Sequence, residues 1–254
     1  VTGASLAERY RAARKDPEQV VVEGLHALKH ALRFGAKILD ARTRDAAALG
    51  ELAGRLAPDV ASAMVGLAEP MEAEAFAALA PSPHPTGVIA LARRPTVGPD
   101  RILAAGGPGP LVLLERPTHH GNIGAAVRVA AAADAGGVLV TGPHDPWHPA
   151  AVRGGAGLQF ALPVASLEGR GVEPVLASGR PVVALDPDGE PLRPGIPLPA
   201  GAVLVFGSER AGVTEDVLAG ADRTVSIPMR TGVSSLNLAT AVAVTLYLTR
   251  PGPG

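Results

Sequence analysis

From Leu111 onward the chain repeats one pattern, a short apolar run followed by a stretch with helical spacing. The strand-like runs are Leu111–Glu115, Gly137–Val140, Val182–Leu185, Ala202–Phe206 and Thr224–Ile227. Between and after them, Ile123–Ala135, Val172–Ala177, Thr214–Ala219 and Leu236–Thr249 space their apolar residues as helices do. Runs so apolar cannot leave one face in water, and the alternation supplies helices for both faces. The pattern therefore predicts an α/β domain built on a parallel sheet.

Upstream, Arg93–Pro110 reads RRPTVGPDRILAAGGPGP, a concentration of Pro and Gly that neither a helix interior nor a central strand accommodates. It predicts a linker at 95–110 between a first domain, 1–94, and a second, 111–254. The first domain also reads as α/β, with helices at Ser5–Lys15, Leu25–Arg33 and Asp45–Leu56. Its strands are expected at Gln19–Val22, Ile38–Leu39 and Gly87–Leu91, and Asp45 is placed to cap its helix.

Composition excludes several classes. At 47% hydrophobic and 19% charged, 254 residues make an ordinary globular chain, neither disordered nor fibrous. The absence of cysteine rules out disulfides, thiolate nucleophiles and cysteine-ligated metal, and fits a reducing compartment. With no signal-like or bilayer-length apolar segment, the expectation is a soluble, cytoplasmic protein without a membrane partner. The sequence begins at Val1, so a few residues are expected to precede it.

A net charge of −1 argues against coating nucleic acid by bulk charge. Locally, residues 1–44 carry nine Lys and Arg against five acids, giving +4, whereas 45–100 carry three Arg against seven acids. The +4 segment reads either as a solvated helical surface or as an RNA-binding face. Aromatics, at 3%, are too sparse for a base-stacking platform.

Three segments of the second domain stand out. In His120-Gly-Asn-Ile-Gly-Ala-Ala-Val-Arg128, a glycine-flanked Asn122 opens a helix and Arg128 follows six residues later, both within reach of a ligand over the strand ends. In Val203-Leu-Val-Phe-Gly-Ser-Glu-Arg-Ala-Gly212, a strand runs into a turn that sets Glu209 over the same crevice. In Ile227-Pro-Met followed by Ser234-Ser-Leu-Asn-Leu-Ala239, Ser235 reads as a helix cap. Asn237 reads as just inside that helix, where Asn is a poor choice unless its side chain has a task. Each alone is open to a bland reading as cap or turn.

In this order the three segments resemble the signature motifs of the SpoU, or TrmH-like, branch of the SPOUT RNA methyltransferases, over about residues 111–250. Val21-Val-Glu-Gly-Leu-His-Ala-Leu-Lys29 and His84-Pro-Thr-Gly-Val-Ile-Ala90 are similar to the family's small ribosomal-protein-like RNA-substrate-binding domain. The resemblance implies a trefoil knot in the second domain, an exception to the rule against threaded chains. It also implies a homodimer with active sites at the subunit interface, S-adenosyl-L-methionine as cofactor, and methylation of a ribose 2′-hydroxyl in RNA. Large-subunit rRNA is favoured over tRNA.

Carried over by position, the catalytic residues are Asn122, Arg128, Glu209, Ser235 and Asn237. The cofactor-binding residues are Leu185, Gly207, Ile227, Met229, Ser235 and Leu236, and the RNA contacts Arg9, Arg11, Arg14, Glu23, Arg93 and Arg94. No metal is implied. A guanidinium is not deprotonated in proteins, so Arg128 is expected to clamp phosphate and orient the 2′-oxygen.

One departure is visible. Relatives carry Asp-Pro or Asn-Pro shortly before the first Gly-Asn, where this chain has Arg116-Pro-Thr-His-His120, predicting a different turn. His119 and His120 read as structural or RNA-contacting residues, and Gly154-Gly-Ala-Gly157 as a tight bend beside the pocket. The competing function is a non-catalytic RNA-binding or ribosome-assembly protein on the same fold, disfavoured by the intact motif set. A nucleotide-dependent oxidoreductase is disfavoured by the lack of a glycine-rich loop after the first strand of either domain.

Overall fold

A computed structural model describes residues 3–105, 107, 109–194 and 198–249. They form two compact units, one running through Thr96 together with Trp147–Ala161, the other Val97–Pro146 with the chain from Leu162.

The first unit contains α1 (Gly3–Ala13), β1 (Gln19–Glu23), α2 (Leu25–Arg33), β2 (Ile38–Thr43), α3 (Ala46–Leu56), α4 (Ala61–Leu67), β3 (Glu69–Pro70), α5 (Ala73–Ala77) and β4 (Val88–Arg93). Its sheet has the order β1-β4-β2-β3, with β4 antiparallel to both neighbours. Val20–Val22 and Val88–Ala92 are buried at its centre, and Tyr10 and Leu6 of α1 close one face. Asp45 does cap α3, its Oδ1 accepting from the Ala48 N–H at 2.9 Å.

The second unit begins with α6 (Pro99–Ala104), β5 (Leu111–Leu114), α7 (His120–Ala132) and β6 (Gly137–Val140). Helix α8 (Pro149–Gly154) belongs to the first unit. The second unit resumes with β7 (Val164–Ser166), α9 (Glu173–Leu176), β8 (Val182–Pro191), β9 (Val203–Phe206), α10 (Glu215–Gly220), β10 (Arg223–Ser226) and α11 (Leu238–Leu248). All six strands are parallel, in the order β10-β8-β9-β5-β6-β7. Every residue of β5, β6 and β9 is buried, as runs without polar alternates require. A Val or Leu so placed contributes about 1.5–3 kcal/mol.

From β5 the chain first builds outward to β6 and β7, then returns to lay β8, β9 and β10 on the other side. The order thus reverses at the β5–β9 pair, where Leu114 lies opposite Phe206. Loops leaving these two strands start at one level and must diverge, which opens a crevice at their carboxyl ends.

Several expectations change. The 95–110 stretch holds α6, because Pro99 sits at a first-turn position where its missing N–H costs nothing; residues 106 and 108 of that stretch lie outside the described residues. The Gly154–Gly157 bend, expected beside the pocket, belongs to the first unit against α2. Gly157 is left-handed (φ +76°), and a Cβ there would stand 2.4 Å from the Ala27 carbonyl oxygen. Expected in the second domain, residues 147–161 instead pack into the first unit. The Arg153 guanidinium reaches Glu23 at 3.0 Å, His30 Nδ1 lies 2.7 Å from the Ala156 carbonyl oxygen, and the Arg94 guanidinium lies over the Trp147 ring.

Candidate functional site

Two latches span the β5–β9 crevice. Glu115, 3% exposed, directly follows β5 and accepts from the N–H and hydroxyl of Thr214 at 2.9 and 2.6 Å, tying down the start of α10. Thr118 N–H and Oγ1 both donate to Glu209 Oε2, at 3.0 and 2.8 Å. The turn between them is unusual: Arg116 is left-handed at φ +48°. Its N–H donates to Thr141 Oγ1 at 3.0 Å, and Gly142 backs closely on its Cα.

The Glu209 contacts continue. Its Oε1 accepts from Asn122 Nδ2 at 2.6 Å, and Asn122 Oδ1 accepts from Asn237 Nδ2 at 3.0 Å. Asn237 Oδ1 in turn accepts from the N–H groups of Ala239 and Thr240, at 3.0 and 3.4 Å. Asn237, rather than Ser235, is therefore the cap of α11, and the helix starts two residues later than expected. The Asn that reads as a misfit inside a helix is its N-terminal cap.

Burial by itself raises the Glu209 carboxyl. The Asn122 amide, the residue's own backbone N–H and the two Thr118 donors outweigh it, holding the group down at about 2.

Below this chain of bonds lies a cleft of about 530 Å³. Leu185, Gly207, Ile227, Met229, Ser235 and Leu236, the six expected cofactor contacts, all line it, as does Glu209. Asp186 and Asp188, which no motif marked, and Arg210 of the second motif segment contribute the other charges. The loop after β9 doubles back, Ser208 and Gly212 exchanging backbone hydrogen bonds at 3.0 Å. A Cβ on Gly207 would meet the Gly212 carbonyl carbon at 1.9 Å, so only glycine admits that return.

Arg128 does not join the network. Six residues along an α-helix are about 240° of rotation and 9 Å of rise, which turns it away from Asn122. It is exposed and has no hydrogen-bond or ion-pair partner among the described residues. His119 occupies the cap position of α7 without a capping bond, and the His120 ring meets His144 edge-on at 4.8 Å. Among the described residues no group of three or more His, Asp or Glu is arranged to hold a metal ion.

The expected RNA contacts divide. Arg9, Arg11 and Arg93 are exposed, Arg9 lying 3.9 Å from Asp40. Glu23 and Arg14 are instead engaged with each other inside the first unit. Glu23 is 4% exposed and bound by Arg14 at 2.8 Å and by Arg153, because a buried carboxylate needs paired cations. Arg94 is half-buried against Trp147.

A parallel α/β sheet with a cleft at its switch point, rimmed by side chains from three distant segments, is the arrangement in which α/β folds bind small molecules. The sequence profile of the SpoU rRNA methylase family matches residues 109–247, and the chain belongs to that family. It is similar to the 23S rRNA (uridine(2479)-2′-O)-methyltransferase of Streptomyces viridochromogenes, 37% identical over 54% of this chain and 50% of that protein. An uncharacterized tRNA/rRNA methyltransferase of Synechocystis sp. is 31% identical over 93% of this chain and 85% of its own length. In structure, the chain is similar to the SpoU methyltransferase AviRb of Streptomyces viridochromogenes in complex with AdoMet, with a TM-score of 0.76, 26% identity and 96% of both chains covered.

Proposed function

We propose that the chain is an S-adenosyl-L-methionine-dependent RNA (ribose-2′-O)-methyltransferase, with large-subunit rRNA as the favoured substrate over tRNA. One observation carries the reading. Thr118, Asn122, Glu209 and Asn237, joined by bonds that span 87 to 115 residues of sequence, form a single hydrogen-bond chain at the rim of the cleft. Family membership and the AdoMet complex of the similar AviRb structure support it.

The cleft suits such a cofactor. Its volume falls among small-molecule sites, its lining combines apolar side chains with charged groups and serines, and at Gly207 backbone meets backbone with no room for a side chain. Leu185, Ile227, Met229 and Leu236 would hold the apolar parts, and Ser235 and the Gly207 backbone the polar ones. When bound, the cofactor supplies a methyl group on a positively charged sulfur, which a ribose 2′-oxygen accepts as it gives up its proton.

The chain's own task is then positioning and charge. Glu209, held ionised by neutral donors, is too weakly basic to take that proton, so its role is to orient Asn122. Arg128, exposed and unpaired among the described residues, is available to clamp the phosphate beside the target ribose. Its orientation away from Asn122 favours a homodimer in which the Arg128 of one copy completes the other's site. The familial trefoil knot belongs to the same reading; tracing the chain in an experimental map tests it. Arg9, Arg11 and Arg93 supply an RNA face. Among the described residues no helix is long and apolar enough to cross a membrane, and the absence of cysteine suits a cytoplasmic setting.

Calorimetric titration with S-adenosylmethionine and S-adenosylhomocysteine, then transfer of labelled methyl to rRNA and tRNA separately, tests the proposal. Binding with 2′-O-methyl label in one RNA pool is expected. A folded protein that binds neither compound turns the reading to a non-catalytic RNA-binding protein.

A further inference from the structure

Thr118 lies between β5 and α7, outside the residues that the motifs assign. Its two donors converge on one oxygen of Glu209, from a loop 91 residues away in sequence. Glu209 stands on an exposed turn, where a carboxylate left to itself samples several rotamers. Held by Thr118 at Oε2, it has one plane, and that plane leaves Oε1 for Asn122.

The consequence runs further. A carboxylate only accepts and a helix N-terminus only donates, so the two amides between them have a single allowed polarity. Asn122 must give its Nδ2 to Glu209 and its Oδ1 to Asn237, and Asn237 must give its Oδ1 to α11. The helix end by itself sets that polarity; what Thr118 sets is the place of the acceptor, the Glu209 oxygen to which Asn122 Nδ2 is given.

We propose that Thr118 is a positioning residue for methyl transfer: by clasping one Glu209 oxygen with both its donors, it holds the other oxygen where Asn122 Nδ2 donates to it, and so fixes the place of the Asn122 amide. This rests on the methyltransferase reading of the site. The depressed Glu209 carboxyl is consistent with the clasp, the Thr118 donors being among its causes.

Two variants and two measurements test it. Thr118→Val removes the hydroxyl and keeps the shape, while Thr118→Ser keeps the hydroxyl. In the cofactor-free protein, carboxyl ¹³C titration of Glu209 and the side-chain NH₂ signals of Asn122 and Asn237 report the clasp directly. Thr118→Val should move the Glu209 titration upward toward the ordinary carboxylate range and shift both amide signals, with the rest of the spectrum unchanged; Thr118→Ser should leave both near wild type. In turnover with labelled S-adenosylmethionine and rRNA, Thr118→Val should lower kcat roughly 10- to 100-fold, leaving cofactor Kd within about threefold, and Thr118→Ser should recover most of the rate. A Thr118→Val protein with wild-type titration and amide signals overturns the clasp. Normal kcat in Thr118→Val, or equal loss in both variants, overturns the positioning role. If the signals respond as expected but the wild-type protein methylates neither rRNA nor tRNA, it is the methyltransferase reading that fails.

Discussion

Asn237 donates its Nδ2 to the Oδ1 of Asn122 at 3.0 Å, joining the head of α11 to the head of α7. The contact lets one side chain do two things, cap a helix and orient a neighbour. Asn237→Ala loses both and should cost about 1–2 kcal/mol in urea unfolding along with transfer activity. Asn237→Asp keeps the cap, and stability should change by less than about 0.5 kcal/mol, but it has no donor for Asn122 and transfer should still fall. Equal activity of Asn237→Asp and wild type would show that the link to Asn122 is dispensable.

Stability should carry a Glu209 signature at low pH. The folded-state carboxyl sits at about 2, below its ordinary 4.5, so its contribution is fully present above the unfolded value and is lost as pH falls from about 4.5 toward 2. Unfolding free energies of wild type and Glu209→Gln, measured from about pH 6 down to 3, should converge as the pH drops. A gap independent of pH contradicts the ionised, hydrogen-bonded carboxylate.

Gly207→Ala tests the doubled loop. Its Cβ would fall 1.9 Å from the Gly212 carbonyl carbon, so backbone must shift, at roughly 1–3 kcal/mol. Cofactor binding by calorimetry should drop with it, because the same loop lines the cleft.

Arg128→Ala should do the reverse. With the side chain exposed and no partner among the described residues, unfolding should change by no more than about 0.5 kcal/mol, and cofactor Kd should hold. Transfer should nevertheless be abolished, and unchanged turnover removes Arg128 from the site.

Glu23 separates a structural from an RNA-contacting role. Removing it takes the shared acceptor from the solvent-accessible Arg14 and Arg153 and leaves a buried gap, so Glu23→Ala should destabilise the protein by about 1–3 kcal/mol in denaturant. An RNA contact at this position predicts instead a stable variant with weakened RNA binding in a filter assay.

What the sequence alone determined were the features written in local pattern. LVLL, GVLV and VLVF can be nothing but covered strands, Asp45 announces its helix, and the three motif segments mark the cleft and its rim. Their limits were local too. Asn237 read as a helix-interior misfit because its second partner, Asn122, is 115 residues away. Thr118 went unmarked because a threonine in a loop carries no signal until Glu209 arrives beside it. Likewise, Glu23 read as surface until Arg153, 130 residues on, buried its charge, and the 147–161 segment read as part of the second domain because chain order says nothing about which core a short helix packs into. Strand and cap signals lie within a few neighbouring residues, whereas a side-chain hydrogen bond is decided by which distant segments the fold sets face to face.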